Sequence, residues 1–154
     1  MASLGRWRLD AMLLLAVVGV GVAAYLTKVG FDPERAISCG PLGDCHTVQN
    51  SQYADVAGVP VALLGLGMYV ALLGLLAARR WGPWASMAPS WVPTAVFAIA
   101  LAGTLYSAYL TYLELWVIDA ICAWCVASAL IITAMFVLAL PDARSAGRST
   151  AGTV

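Results

Sequence analysis

Four long apolar stretches, separated by shorter polar segments, dominate the pattern along this chain. They cover about residues 11–27, 59–78, 91–113 and 120–140. A helix rises about 1.5 Å per residue and the hydrocarbon of a bilayer is about 30 Å thick, so one span takes about 20 residues. The pattern predicts an all-α integral membrane protein in which four transmembrane helices form a bundle.

The polar segments outside the spans are expected to differ in role. Residues 29–56 form a long loop that glycine and proline keep irregular, and loops of this length are usually functional or disordered. Two of the four cysteines lie in it, which favours a functional cap between the first two helices. Pro141 is predicted to end the fourth span, so that residues 1–141 form the membrane domain and 142–154 a disordered tail.

Composition narrows the possible functions. Of the 154 residues 62% are hydrophobic and only 10% are charged, which leaves no room for a large soluble catalytic domain. Eight basic residues balance eight acidic ones, so the net charge gives no reason to expect nucleic acid or another polyanion as a partner.

The basic residues also predict an orientation. Only Lys28 and Arg35 lie on one side of the predicted spans, whereas six arginines lie on the other: Arg6, Arg8, Arg79, Arg80, Arg144 and Arg148. The positive-inside rule then puts both termini in the cytoplasm and all four cysteines at the extracytoplasmic face of the cell inner membrane. A cleavable signal peptide, ending near Ala24, is the competing interpretation of the first stretch.

The second cysteine pair has a spacing typical of thiol redox chemistry. Cys122 and Cys125 lie three apart at the start of the fourth span, where a helix brings their side chains to one face within disulfide range. Asp119 is placed to be the N-cap, with Cys122 at the third helical position. Free backbone N–H groups there would stabilise a thiolate, so Cys122 is the expected nucleophile.

The first pair, Cys39 and Cys45, is joined by turn-forming residues and can close a small ring in the loop. An accessible loop disulfide suits thiol exchange. Two pairs on the oxidising face indicate a relay in which electrons enter at the loop pair, pass to Cys122 and Cys125, and leave to an acceptor in the membrane. A lipid-soluble quinone is the natural acceptor, since the chain shows no haem, flavin or Rossmann signature.

Other interpretations of the same residues stay open. Two structural disulfides would make the protein a non-catalytic membrane scaffold, and four thiolates, perhaps with His46, would make a zinc site, although no metal is expected. His46 is more simply a solvated loop residue, and Glu114 a hydrated residue between the last two spans. An aromatic series on the third span is expected to serve packing and the membrane interface: Tyr106, Tyr109, Tyr112 and Trp116.

Together these motifs resemble the bacterial members of the vitamin K epoxide reductase family. The resemblance covers the chain from the first to the fourth span and depends on order and spacing. The matching positions are Cys39 and Cys45 in the loop, Val48 and Ser51 behind them, residues 58–61 followed by Gly65 and Tyr69, then Ser107, Tyr109 and Leu110 in the third span, and Cys122 and Cys125 at the start of the fourth.

The resemblance implies a four-helix bundle around a quinone, menaquinone or ubiquinone, with the loop as its cap. By position, Cys39 would exchange with a thioredoxin-fold partner, Cys45 would pass electrons to Cys122, and Cys125 would reduce the quinone. Ser51 matches a position that helps to place the cap. The implied enzyme is a quinone-dependent thiol-disulfide oxidoreductase that reoxidises its partner and so supports disulfide formation.

Two departures from the family pattern qualify this expectation. The polar pair that contacts the quinone or its epoxide in the animal enzymes aligns with Val61 and Ala129, which favours simple quinone reduction over epoxide reduction. Many bacterial members carry a fused thioredoxin-like domain, whereas this sequence ends at Val154, so the partner is expected to be a separate DsbA-like protein. A DsbB-like protein would do the same chemistry but would place its C-x-x-C in the first outer loop.

Overall fold

The computed structural model consists of four long helices, one short helix and a small hairpin, and it describes residues 2–31, 45–56, 58–81 and 91–151. The elements in chain order are α1 (Ala2–Gly30), α2 (Cys45–Gln49), β1 (Asp55–Val56), β2 (Val59–Pro60), α3 (Val61–Trp81), α4 (Val92–Trp116) and α5 (Ala123–Ala151). The four long helices are each long and apolar enough to cross a membrane, which confirms the predicted all-α bundle.

The long helices alternate in direction and pack as two pairs. α1 lies along α3, and α4 lies along α5, while α1 also contacts α5. α3 and α4 contact each other much less. The shared core consists of side chains from all four helices, among them Met12, Leu72, Val96 and Met135, each almost or completely buried. Many apolar side chains point outward instead, as expected where lipid replaces water.

Tyr69 ties three helices together in the middle of this core. Its side chain is fully buried, and its hydroxyl donates to the backbone oxygen of Ser128 on α5 at 2.9 Å. The ring lies directly against α1 at Gly19, where a Cβ atom would overlap it. Glycine at position 19 therefore allows α1 to approach α3 closely enough to seat the ring.

Ion pairs join the helix ends that lie farthest from the cysteines. Asp142 on α5 pairs with Arg79 at 2.7 Å and with Arg8 at 3.5 Å, and Arg80 pairs with Asp10 at 2.9 Å. The prediction that Pro141 ends the fourth helix is wrong, since α5 continues to Ala151 with Pro141 inside it. Where this helix leaves the membrane stays a prediction. A proline removes only one backbone donor from a helix, and the pairs of Asp142 hold the turn that follows.

At the other end, the chain before α3 folds differently from the expected first turn of a helix. Pro60 belongs to β2, which pairs antiparallel with β1 so that Asp55 faces Pro60. Gly58 has a φ of 81°, a conformation that suits glycine at the turn of this hairpin. The backbone N–H of Val61 donates to the oxygen of Ala54 at 2.8 Å, and α3 begins there.

Adding a methyl group at Gly19 tests the close approach of α1 to Tyr69. We expect Gly19→Ala to destabilise the bundle by about 1–3 kcal/mol, because the new Cβ overpacks the core against the ring. Gly21→Ala is the matched control: it lies on the same helix, and a Cβ there meets nothing within 4 Å. Thermal midpoints in detergent, read by size-exclusion chromatography after heating, provide the measurement. Equal midpoints for the two variants would contradict the packing described.

Candidate active site at the cysteine end of the bundle

A tight connection between α4 and α5 places the second cysteine pair. The N–H groups of Val117 and Ile118 both donate to the oxygen of Leu113, at 3.0 and 2.9 Å, and Ala120 donates to the oxygen of Glu114 at 3.2 Å. Asp119 turns the chain with a φ of 54° and is exposed. It is therefore not the N-cap of α5, and that prediction is wrong.

Cys122 itself caps α5. Its thiol sulfur accepts a hydrogen bond from the backbone N–H of Cys125 at 3.3 Å, and its carbonyl accepts the first helical bond, from Val126, at 3.0 Å. This arrangement is that of an N-cap residue whose side chain satisfies the third N–H of the helix. The sequence placed Cys122 at the third residue of the helix, whereas it is the residue just before the helix. The predicted hydrogen bond from a free helix N–H to its sulfur is nevertheless present, from Cys125.

The pKa of the Cys122 thiol lies below its ordinary value. The hydrogen bond with the Cys125 side chain contributes most to this lowering, and the Cys125 backbone N–H adds to it, while burial and the nearby Glu114 carboxyl oppose it. Hydrogen bonds donated to a sulfur favour its thiolate form. This direction favours Cys122 as the nucleophile of the pair, which stays a prediction.

Glu114 lies in the site, although it was not among the site residues expected from the sequence. It lies in the last turn of α4 with only 4% of its surface exposed, so the expectation of a hydrated residue is wrong. Its carboxyl oxygen accepts the backbone N–H of Cys122 at 3.0 Å, and the carboxyl also contacts the Cys125 side chain. An acidic residue between Leu113 and Leu115 was the available signal, since intramembrane ionisable residues are commonly functional.

The short helix α2 covers the start of α5. Cys45, Val48 and Cys122 form one buried cluster, against which Trp124 and Cys125 pack. Cys45 is in a disulfide, whereas Cys122 and Cys125 are free thiols. The expected first sulfur of the loop, Cys39, and the side chain of His46 lie outside the described residues. The structure thus brings three of the four expected cysteines to one end of the bundle.

A cavity of about 360 Å³ lies between α3 and α4 beside these sulfurs. Its walls are mainly apolar, and its polar groups include Cys125, Glu114 and Gln49. The side-chain N–H of Gln49 on α2 lies 3.8 Å from the Cys125 sulfur, within reach of a weak hydrogen bond. Cys125 lines the cavity, whereas Cys122 lies behind it in the cluster with Cys45.

Two of the three pocket positions expected from the sequence line this cavity. Ser51 lies in its cap, where the hydroxyl donates to the oxygen of Val48 at 2.8 Å, and Val61 forms part of its wall. Ala129 does not line it. Ser128, the preceding residue on α5, does so instead, and Ala129 accepts a hydrogen bond from Thr133. Tyr106 also lines the cavity, whereas Tyr109, Tyr112 and Trp116 are exposed on α4.

A model of the vitamin K epoxide reductase family matches residues 11–140, which include all four transmembrane helices and all four cysteines. The chain therefore belongs to this family and is a membrane oxidoreductase of the quinone-linked kind.

Removing the Cys125 thiol should raise the pKa of Cys122. In a background of Cys39→Ser and Cys45→Ser, the variant Cys125→Ala leaves Cys122 as the single thiol without its main hydrogen-bond partner. Cys125→Ser keeps a donor at that position, so the pKa of Cys122 should stay lower than in the alanine variant. Ultraviolet absorbance of the thiolate against pH measures both. The same midpoint in both variants would show that the Cys125 side chain does not stabilise the thiolate.

Proposed function

We propose that this membrane oxidoreductase reoxidises an extracytoplasmic, thioredoxin-fold, DsbA-like protein and passes the electrons through its two cysteine pairs to a quinone. The single observation that carries this proposal is the order of the sulfurs. Cys45, Cys122 and Cys125 follow one another from the cap toward the cavity, and the last of them lines it. A series of neighbouring thiols that ends at an apolar cavity suits exchange between a thiol protein and an acceptor dissolved in lipid.

The proposed route balances at each exchange. A partner thiolate attacks the disulfide that we assign to Cys39 and Cys45, and the partner leaves as a disulfide while the loop pair becomes a dithiol. Cys45 then attacks Cys122 in the oxidised inner pair, which restores the loop disulfide and leaves Cys122 and Cys125 as thiols. This is the combination of states in the structure, with Cys45 bonded and the inner pair free.

The cavity fits a quinone head group. Its volume of about 360 Å³ lies within the range of about 300–1,000 Å³ that is usual for small-molecule sites. Its mainly apolar walls suit a lipid-soluble ring system, and Gln49, Glu114 and Cys125 are among its polar groups. When bound, a quinone takes up two electrons and two protons. Cys125 supplies the sulfur that faces it, and Gln49 and Glu114 lie beside that sulfur.

The two departures at the pocket favour reduction of the quinone itself. Val61 offers no side-chain donor to the cavity, and Ala129 is not in its wall. The polar side-chain contacts that the resemblance assigns to these two positions in the animal enzymes are therefore absent here. Epoxide reduction is therefore the second candidate activity, and menaquinone or ubiquinone the proposed acceptor.

The membrane orientation belongs to the same proposal. Arg6, Arg8, Arg79 and Arg80 lie at the end of the bundle opposite the cysteines, and the positive-inside rule places that end in the cytoplasm. The cysteine end then faces the oxidising compartment, in which a DsbA-like partner works.

A non-catalytic scaffold and a zinc site are the alternatives from other classes. A scaffold held by two static disulfides would have no use for free thiols at Cys122 and Cys125. A zinc centre of four thiolates would need Cys45 as a thiolate, whereas its sulfur is in a disulfide. Both observations favour the relay.

Replacing Cys125 should abolish electron transfer to the quinone. We expect Cys125→Ala to show no measurable quinone reduction when reduced DsbA-like protein is supplied, because the sulfur that faces the cavity is gone. Stopped-flow absorbance of the quinone measures turnover. In Cys45→Ala, Cys39 is left as a free thiol. Its thiolate should displace a small thiol from a partner whose single remaining cysteine carries that thiol as a mixed disulfide, and the Cys39–partner disulfide should then persist, visible on a non-reducing gel. Unchanged turnover in Cys125→Ala, or no trapped partner in Cys45→Ala, would contradict the proposed route.

Filling the cavity should weaken quinone use without affecting the cysteines. Gly65 lines the cavity on α3 and a Cβ there meets nothing within 4 Å, so Gly65→Leu places a side chain in the proposed quinone site. We expect kcat/KM for a short-chain quinone to fall at least about tenfold, equivalent to about 1.4 kcal/mol. The control is Gly67→Leu, at an exposed position on the same helix outside the cavity wall.

Oxidation of Cys122 and Cys125 by diamide, which needs no quinone, should proceed at the same rate in both leucine variants. A normal kcat/KM in Gly65→Leu would place the quinone elsewhere.

A further inference from the structure

The Glu114 carboxyl is the one buried group of the site that the relay described so far does not use. It contacts both cysteines: one oxygen accepts the Cys122 backbone N–H at 3.0 Å, and the carboxyl contacts the Cys125 side chain. It also lines the cavity together with Cys125. The same carboxyl therefore reaches a reacting sulfur and the space in which the quinone is proposed to lie.

We propose that Glu114 is a catalytic proton carrier, which accepts the thiol proton of Cys125 and delivers it to a quinone oxygen in the cavity. This inference rests on the proposed function. It assigns to the site a proton acceptor, which oxidation of a dithiol requires and which neither sulfur supplies.

Proton balance is the first argument. Oxidation of Cys122 and Cys125 breaks two S–H bonds, forms one S–S bond, and releases two electrons and two protons. The quinone takes up the same two electrons and two protons and forms two O–H bonds. One proton travels from the Cys125 sulfur through Glu114 to the quinone. The second leaves Cys122 for the aqueous phase when its thiolate forms, and the aqueous phase returns one to the second quinone oxygen.

The surroundings of Cys125 are the second argument. Two other described side chains contact the Cys125 sulfur. Gln49 carries an amide, which is not a base for a thiol proton, and Cys122 is the cysteine with which Cys125 forms a disulfide when the pair is oxidised. Glu114 is the remaining titratable group. The cavity beside the sulfur has mainly apolar walls, so a carboxyl in direct contact is a better placed base than water.

The charge environment is the third argument. In the part of the chain that the structure describes, the ion pairs lie at the opposite end of the bundle, on Arg8, Arg79 and Arg80. The Glu114 carboxyl is thus held by hydrogen bonds rather than by a cation. A carboxyl that is not locked in an ion pair can take up and release a proton without breaking one.

The test compares Glu114→Gln with Asp119→Asn in the full-length protein. Glutamine keeps an oxygen that accepts the Cys122 N–H but does not carry a proton. Asp119→Asn makes the same chemical change five residues away, on an exposed side chain in a conformation that asparagine tolerates. Prereduced protein is mixed with a short-chain ubiquinone analogue, and a single turnover is followed by stopped flow. We expect the rate to fall about 100-fold in Glu114→Gln and to stay unchanged in Asp119→Asn.

A second measurement needs no quinone. The infrared difference spectrum between the dithiol and disulfide forms of the inner pair, set by a thiol redox buffer, should contain a carboxyl protonation band. This band should be lost in Glu114→Gln and kept in Asp119→Asn. A merely structural role for Glu114 would produce no such band, because its protonation would not follow the redox state of the cysteines.

The outcomes separate the inference from the function on which it rests. A wild-type rate in Glu114→Gln, or the absence of the band from the wild-type protein, would overturn the role of Glu114. If His46→Gln lost the rate and Glu114→Gln kept it, the proton carrier would be His46. If the wild-type protein reduced no quinone while the band was present, quinone reduction and the delivery step would fail, and only proton uptake from Cys125 by Glu114 would stand.

Discussion

The hydrogen bond between the Glu114 carboxyl and the Cys122 backbone N–H is the interaction on which the site depends. It joins the last turn of α4 to the residue that caps α5, across a connection of only six residues. A hydrogen bond to a buried carboxyl oxygen is stronger where water is scarce, because the local dielectric is low. It fixes the start of α5, and with it the positions of both sulfurs relative to the cavity.

The cavity is a consequence of how the helices pair. α1 packs closely on α3 and α4 packs closely on α5, whereas α3 and α4 contact each other less and the cavity lies between them. Small residues set these distances, because Gly19 lets α1 close on Tyr69, and Gly65 leaves space on α3 where a larger side chain would fill the cavity. The hydroxyl of Tyr69 then holds α5 through Ser128, one turn below Cys125. Tyr69 thus packs in the core of the bundle and also holds Ser128, which lines the cavity.

The sequence predicted the number of helices and their approximate bounds, because apolar length is a local signal. It also predicted that Cys122 and Cys125 lie one turn apart at the start of the last helix, because the C-x-x-C spacing is local too. It did not predict which residue caps α5, because aspartate is a better capping residue than cysteine by type. In the structure Asp119 turns the chain with a φ of 54°, and α5 begins four residues later, at Ala123. It placed Glu114 in a connection, and helix ends are the least reliable part of such a prediction. The helix α4 ends three residues later than predicted, at Trp116, so that Glu114 is buried in its last turn and not in a hydrated connection. The predicted helix end at Pro141 also failed, because Asp142 in the next position pairs with Arg8 and Arg79, which are distant in sequence.

The different surroundings of the two sulfurs give the proposed relay its direction. Cys122 accepts an N–H from the helix that it caps and lies against Cys45, so its thiolate is stabilised on the side from which exchange would come. Cys125 lies one turn further in, with Gln49 and Glu114 beside it and the apolar cavity in front. A stabilised thiolate packed against Cys45 suits thiol exchange with the loop pair, whereas a sulfur beside a carboxyl and facing an apolar cavity suits coupled transfer of electrons and protons. One helical turn therefore separates the two kinds of chemistry, and the spacing of the C-x-x-C motif provides that turn.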